Sequence, residues 1–363
     1  MLGITPGARP VQEQTPGGGF VVLVVIDGAR PSYLTLAGLP QIGALMEQGV
    51  VYEQAWVGEM ESATPSVHAT LGTGTLPSQN GFVRFGWVQP GTREQVDFRT
   101  LLAEGKIDPV LQHLPLPSVA ARLERLVPGA VALAASGHRN YAVAGLAGGA
   151  AKYQLYGQFV GKEYVPRCIH GEPPLTSSDR RLLTLKSPIP IGGEDAWAFQ
   201  YVVRVIRKVR PRLLMLNLPE VDTWGHWYGP GNDALFRKLL LNIDRGIAAI
   251  RDAYQQLGVL SRTTFIITSD HAMMASLPIP GWTETVRTAV QAEHAAVARI
   301  DGSTGAIWLQ NAAQAKAVAQ RLVTMHPPHV NAVFYRSAAG VSYHYVQASP
   351  KEWLSTATVG VAL

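Results

Sequence analysis

The chain has 363 residues, 47% of them hydrophobic and 16% charged. That balance excludes a disordered chain and leaves room for one large α/β domain with an insertion, or for two domains. Thirty-one Lys and Arg against 26 Asp and Glu give a net charge of +5, a mild positive field that suits anionic substrates. The basic residues are scattered except for five between Arg204 and Arg212, a run that reads as a solvated helix end before it reads as a nucleic-acid surface. A single cysteine, Cys168, excludes an internal disulfide, and no apolar run approaches the ~20 residues needed to cross a bilayer.

Residues 1–19 are Gly/Pro-rich and read as a flexible leader without the apolar segment of a secretory signal; on that ground the expected compartment is the cytoplasm. Val21-Val22-Leu23-Val24-Val25-Ile26 then runs unbroken into Asp27-Gly28, the pattern of a strand buried on both faces. A helix is expected over 36–48 and a short strand over 49–52. Residues 85–128 mix polarity and proline and read as irregular structure with a short helix at 116–126. The alanine-rich 129–136 reads as helix, and Tyr141–Ala144 as a core strand. Residues 148–193, rich in Gly, Pro and Tyr, read as an inserted excursion on one rim of a sheet, a small cap over the site.

Helix is expected over 196–208, a buried strand over 213–218, and a further core strand over 263–268. Between them, Phe236, Leu239, Leu240, Ile243, Ile247, Ile250 and Tyr254 repeat at helical spacing, with Asn232 or Asp233 as cap and Gly258 as stop. Strands over 305–309 and 332–335 flank a helix over 312–325. Strands alternating with helices define an α/β fold with a mostly parallel sheet. The apolar ending at Val359–Leu363 reads as a domain that continues past it.

Three strands each lead into an Asp at what becomes the carboxyl edge of one sheet, where open α/β folds place their chemistry. They are Asp27, Asp222 and Asp270; His226 and His271 accompany the last two. Asp222 and His226, four apart, point to one side of a helical turn, which fits a metal and equally fits a surface Asp–His pair. Three carboxylates crowded together would raise one another's pKa unless cations intervene, and Asp/His donors suit zinc, with manganese second. Thr64 precedes Pro65, as at a helix start; it is either an N-cap or, beside a metal, an activated nucleophile.

The ordered set Val24-Val25-Ile26-Asp27-Gly28, then Thr64-x-x-x-His68-x-Thr70-x-x-Thr73-Gly74-x-x-Pro77, then Asp222-x-x-Gly225-His226-x-x-Gly229-Pro230, then Ser269-Asp270-His271 resembles the alkaline phosphatase superfamily. Its type I phosphodiesterase/nucleotide pyrophosphatase branch is the nearest in pattern, with phosphonoacetate hydrolase beside it. The resemblance covers roughly residues 20–84 and 130–275 and implies a three-layer sandwich with a mostly parallel sheet. The whole of 20–363 would then be one catalytic domain with insertions near 85–128 and 148–193, incomplete at its C-terminal end. It implies two divalent ions: one on Asp27, Asp270 and His271 with Thr64 as further ligand and nucleophile, the other on Asp222 and His226 with a late His. That third ligand is not legible, since His326, His329 and His344 stand in the wrong context. His68 would be an outer-sphere residue. Where many relatives carry a substrate-binding Asn this chain has Phe85, so Asn80 and Arg84 become the expected substrate contacts.

The implied activity is phosphodiester or pyrophosphate hydrolysis on a small anionic phosphorus substrate. Alternatives are a phosphonoacetate hydrolase, a phosphomonoesterase, and a non-catalytic metal-binding homologue. Relatives are often exported, which competes with the cytoplasmic expectation, and oligomeric state is not legible.

Overall fold

The computed structural model describes residues 18–35, 38–59, 62–88, 94–106 and 117–275 and, beyond these, 284, 288, 295–301, 304–309, 311–324, 332–336 and 343–347. Most of the expected leader, residues 36–37 of the expected first helix, Met325, His326, His329 and the chain's last residues lie outside the described residues.

The strands are β1 (Phe20–Ile26), β2 (Gly86–Val88), β3 (Gln95–Asp97), β4 (Ala132–Ser136), β5 (Tyr153–Val160), β6 (Glu163–His170), β7 (Leu185–Lys186), β8 (Leu213–Leu218) and β9 (Thr263–Thr268). Seven form one sheet in the order β7-β6-β5-β4-β8-β1-β9. From β5 to β9 all pairings are parallel, while β6 and β7 close the other rim antiparallel. Val25 pairs with Asn217 on one side and Thr268 on the other, and Ser136 pairs with Asn217. Four strand ends are therefore level at one carboxyl edge.

The uninterrupted apolar run of β1 is explained by what covers it. Val22, Val24 and Ile26 face a core with Trp197 and Ile206 of the Gly193–Val209 helix and Phe236, Leu240 and Ile243 of the Asp233–Gln256 helix. Leu23 and Val25 face the opposite core with Ala120, Val143 and Leu146, as the period of two requires. Each such fully buried side chain contributes about 1.5–3 kcal/mol. The result is three layers, helix, sheet and helix.

The site is placed by one close crossing between the Thr64–Thr73 and Asn140–Ala147 helices. A Cβ on Gly72 would lie 2.2 Å from the Gly145 carbonyl oxygen, and one on Gly145 would lie 2.8 Å from the Ala69 nitrogen. Two facing glycines let the backbones touch.

Several expectations are corrected. Residues 129–136 were expected helical and contain β4; Tyr141–Ala144, expected as strand, lies in the Asn140–Ala147 helix. Both runs are short and apolar, so periodicity cannot arbitrate. The small side chains of Ala132, Ala134 and Ala135 fit a strand wedged between β5 and β8. Residues 49–52 carry no strand and are exposed. The irregular 85–128 also contains the β2–β3 hairpin and a helix at Phe98–Ala103, while the short helix expected near 116–126 is found at Val119–Leu126. Residues 148–193 carry β5 to β7, the sheet's rim itself. Strand β9, expected as core, is the terminal strand among the described residues and alternates partly buried with exposed. The late strands β10 (Ala295–Asp301) with β11 (Thr304–Leu309), and β12 (Ala332–Arg336) with β13 (Tyr343–Gln347), form separate antiparallel pairs, with a helix at Ala315–Thr324 between them.

Candidate metal centre and nucleophile

Each segment leaving the carboxyl edge delivers part of the cluster. Asp27 follows β1, its N–H bonded to the Leu218 carbonyl at 3.1 Å. Gly28 turns the chain at φ +73°, and a Cβ there would sit 2.8 Å from the Asp222 Cβ, so only glycine admits Asp222 so close to Asp27. Asp222 lies in the first turn of the Glu220–Tyr228 helix after β8. Asp270 follows β9 and accepts the N–H groups of Gly28 (3.1 Å) and His271 (3.0 Å).

Thr64 opens its helix with Pro65 behind it, but the N-cap is Ala63 and makes no side-chain cap. The Thr64 hydroxyl is thus not consumed in capping. Its Oγ1 lies 3.5 Å from His271 Nε2 and accepts from Arg139 Nη1 at 3.2 Å. The helix N-terminus favours negative charge at that spot.

His271 Nε2 is the focus of the cluster, 3.5 Å from Asp27 Oδ1, 3.6 Å from Asp270 Oδ2 and 3.8 Å from Asp222 Oδ1. Those same three oxygens are buried and accept no hydrogen bond. Buried oxygens left without donors are costly, and their convergence on one point is what a cation resolves. Asp27, Asp270 and His271 offer ligand atoms all within 4.8 Å of one another, so this donor set fits a divalent ion. Burial, and next the Asp270 charge, push the Asp27 carboxyl up to about 6. Burial also raises Asp270. On His271 burial opposes protonation, but Asp270, Asp27 and Asp222 outweigh it and raise the imidazole.

The other half of the cleft differs. His226 Nε2 is 3.4 Å from Asp222 Oδ1 and its side chain is 70% exposed. The other Asp222 oxygen, Oδ2, is hydrogen-bonded by Arg139 Nη2. No third His, Cys, Asp or Glu forms a ligand group with this pair among the described residues, and Asp222 Oδ2 is already taken by Arg139.

Arg139 is the residue that sequence reasoning missed. It follows β4, is 6% exposed, and places Nη1 2.7 Å from Asp27 Oδ1, off the line of a hydrogen bond. Burial works against its charge, yet Asp27, Tyr141 and Asp222 hold it charged. The signal was Ser136-Gly137-His138-Arg139, which becomes a strand-end loop once β4 is placed correctly.

A buried chain of hydrogen bonds supports the cluster. His68 Nδ1 donates to the Thr64 carbonyl at 2.7 Å, leaving Nε2 to accept from Asn217 Nδ2 at 2.9 Å. That fixes a neutral tautomer, and burial pushes His68 down to about 4. Asn217 also donates to Asp27 Oδ2 at 2.8 Å and accepts from Ser136 Oγ at 2.7 Å, which in turn accepts the Arg139 N–H at 3.2 Å. Asn217 was visible in the sequence as the one polar residue of an apolar strand. Asn80, expected at the substrate, spends its amide on Thr75 O (2.8 Å) and the Phe82 N–H (2.8 Å). Arg84 is 1% exposed.

A mostly parallel sheet that gathers acids, an imidazole and a threonine at its carboxyl edge has the layout of a hydrolase site for a small anion. The profile of the type I phosphodiesterase / nucleotide pyrophosphatase family matches residues 21–358, and the chain belongs to that family, whose chemistry is hydrolysis at phosphorus. No curated protein matches it by sequence. Among solved structures it is similar to murine ectonucleotide pyrophosphatase/phosphodiesterase 5, at 17% identity and a TM-score of 0.57, over 87% of this chain and 72% of that one. It is also similar to phosphonoacetate hydrolase from Sinorhizobium meliloti 1021 with phosphonoformate bound, at 18% identity and 0.56, over 85% and 73%. The human ectonucleotide pyrophosphatase/phosphodiesterase 5 gives 19% and 0.54, over 87% and 72%. Among the described residues no helix is long and apolar enough to cross a membrane.

Proposed function

We propose that the chain is a metal-dependent phosphodiesterase of the nucleotide pyrophosphatase type, with Thr64 as nucleophile. The observation that carries this reading is the Thr64 hydroxyl, free of any capping role, 3.5 Å from His271 Nε2 at the focus of the acidic cluster and held by Arg139 Nη1 at 3.2 Å. A divalent ion on Asp27, Asp270 and His271, zinc first and manganese second by donor type, supplies Lewis acidity and a lowered hydroxyl pKa. Thr64 Oγ1 loses its proton to solvent and bonds to phosphorus as the bond to the leaving oxygen breaks, so that the threonine carries the remaining ester as a phosphodiester. Water then attacks phosphorus and Thr64 departs, so configuration at phosphorus is retained.

Arg139, beside Thr64 Oγ1, meets the charge growing on the non-bridging oxygens. His68 holds the Thr64 carbonyl and, neutral on both counts above, serves orientation and not proton transfer. Asn80, held by Thr75 and Phe82, shapes the segment after the nucleophile helix. The murine relative has been solved as an inactive threonine-to-alanine variant with AMP bound, which is consonant with a threonine-centred reaction on a nucleotide.

Thr64→Ala is expected to lose at least ~10³-fold in kcat on bis(p-nitrophenyl) phosphate while leaving metal binding nearly intact. Undiminished turnover would remove Thr64 from the mechanism. Phosphonoacetate is the second reading, favoured by a fold similarity equal to that with the pyrophosphatases. Initial rates on the diester, the monoester p-nitrophenyl phosphate and phosphonoacetate, at one zinc concentration, decide between them; the diester is expected to be fastest.

A further inference from the structure

We infer that Arg139 is a built-in cation that stands where a second metal ion would sit, so that this cleft works with one ion and one guanidinium. The inference deepens the reading above and rests on its metal site. Three contacts carry it. Arg139 Nη1 is 2.7 Å from Asp27 Oδ1 and 3.2 Å from Thr64 Oγ1, and Nη2 hydrogen-bonds Asp222 Oδ2. A second ion between Asp222 and the nucleophile would need those same oxygens. It would also sit against a guanidinium that is 6% exposed and held at its own backbone by the 3.2 Å bond from its N–H to Ser136 Oγ.

Charge arithmetic agrees. Asp27, Asp222 and Asp270 carry three negative charges when ionised; one divalent ion and one arginine carry three positive ones. A second divalent ion would leave the cleft with two uncompensated positive charges beside a fixed guanidinium, and like charges at this range repel strongly in a buried site. The planar guanidinium also suits the task, since its two Nη groups reach two carboxylates at once.

Zinc counted by equilibrium dialysis and elemental analysis on the full chain tests this without reference to activity. One ion per chain is expected in the wild type. Arg139→Ala is expected to take up a second, which Asp222→Asn added to it removes again, while Arg139→Lys keeps one. Two ions in the wild type, none in the wild type, or one ion in both wild type and Arg139→Ala overturns the inference. Should Arg139→Ala not fold, Arg139→Gln takes its place with the same expectation, and two ions in the wild type alone would still be decisive. Turnover of bis(p-nitrophenyl) phosphate by the same wild-type preparation reports separately on the hydrolase reading: activity with two ions sinks the arginine's role and leaves the hydrolase standing.

Discussion

Two groups of buried acids lie near the carboxyl edge of the sheet, and they deal with their charge in opposite ways. In the first, Asp27, Asp222 and Asp270 surround His271 and Arg139, and three of their oxygens converge without hydrogen-bond donors. In the second, Asp195 opens the Gly193–Val209 helix beside Glu220. Glu220 accepts the N–H groups of Gly192 and Asp195 at 2.7 Å each and Trp224 Nε1 at 3.1 Å. Both carboxylate oxygens of Asp195 are buried and accept no hydrogen bond. Burial, then the charge of Glu220, raise Asp195 well above its ordinary value. The first group is built around a guanidinium and an imidazole; in the second, burial favours the neutral acid. Burial alone therefore does not mark a functional acid: convergence on a shared point with a cation or imidazole does.

The largest expected effect that would break this contrast is at Asp270. Asp270→Asn should reduce metal affinity at least ~10²-fold and turnover by ~10³-fold or more, measured by zinc titration and diester kinetics. Unchanged zinc affinity would deny the first group its cation. Next, Asn217→Leu leaves Asp27 Oδ2, His68 Nε2 and Ser136 Oγ without their partner, so a stability loss of about 3 kcal/mol is expected in urea unfolding. A loss well under 1 kcal/mol would mean that the hydrogen-bonded chain is slack.

Asp195→Asn sharpens the second half. Because the folded pKa of Asp195 lies above its unfolded value, the native state binds the extra proton, and the stability this contributes is lost as pH rises from the unfolded pKa toward the folded one. The amide has no proton to lose. The variant is therefore expected to come closest to the parent at acid pH and to exceed it increasingly as pH rises toward 8. A variant less stable than the parent at pH 8 would show that Asp195 is held ionised by a cation. The smallest effect is at His226, exposed and paired only with Asp222 among the described residues. His226→Ala should change zinc affinity less than ~3-fold, and a hundredfold loss would make it a ligand of the bound ion.

Much of the first group was legible from residue order. The apolar run of β1 ending in Asp27, the buried strand β8 followed by Asp222 and His226, and Ser269-Asp270-His271 after β9 all name their positions, because a parallel sheet brings strand ends level. The 24-residue helix Asp233–Gln256 and its Asn232 cap were equally plain from their period. What sequence reasoning lost was the stretch 129–147, where two short alanine-rich runs became strand and helix in the reverse order. That exchange hid Arg139, since a residue inside an expected turn before a strand is not aimed at a strand-end cleft. The second group was invisible for another reason: nothing in Gly193-Glu194-Asp195 separates an acid that greets solvent from one sealed beneath the next helix.

The glycine contact between the helices that carry Thr64 and Arg139 has a consequence for how this enzyme can change. Gly72 and Gly145 set the spacing of the two groups from a distance, one helix beginning at the nucleophile and the other starting right after the arginine. A methyl at either position acts as a shim that parts the pair without altering a single reacting atom. Tuning of the cleft, by drift or by design, has there a mechanical adjustment separate from its chemistry.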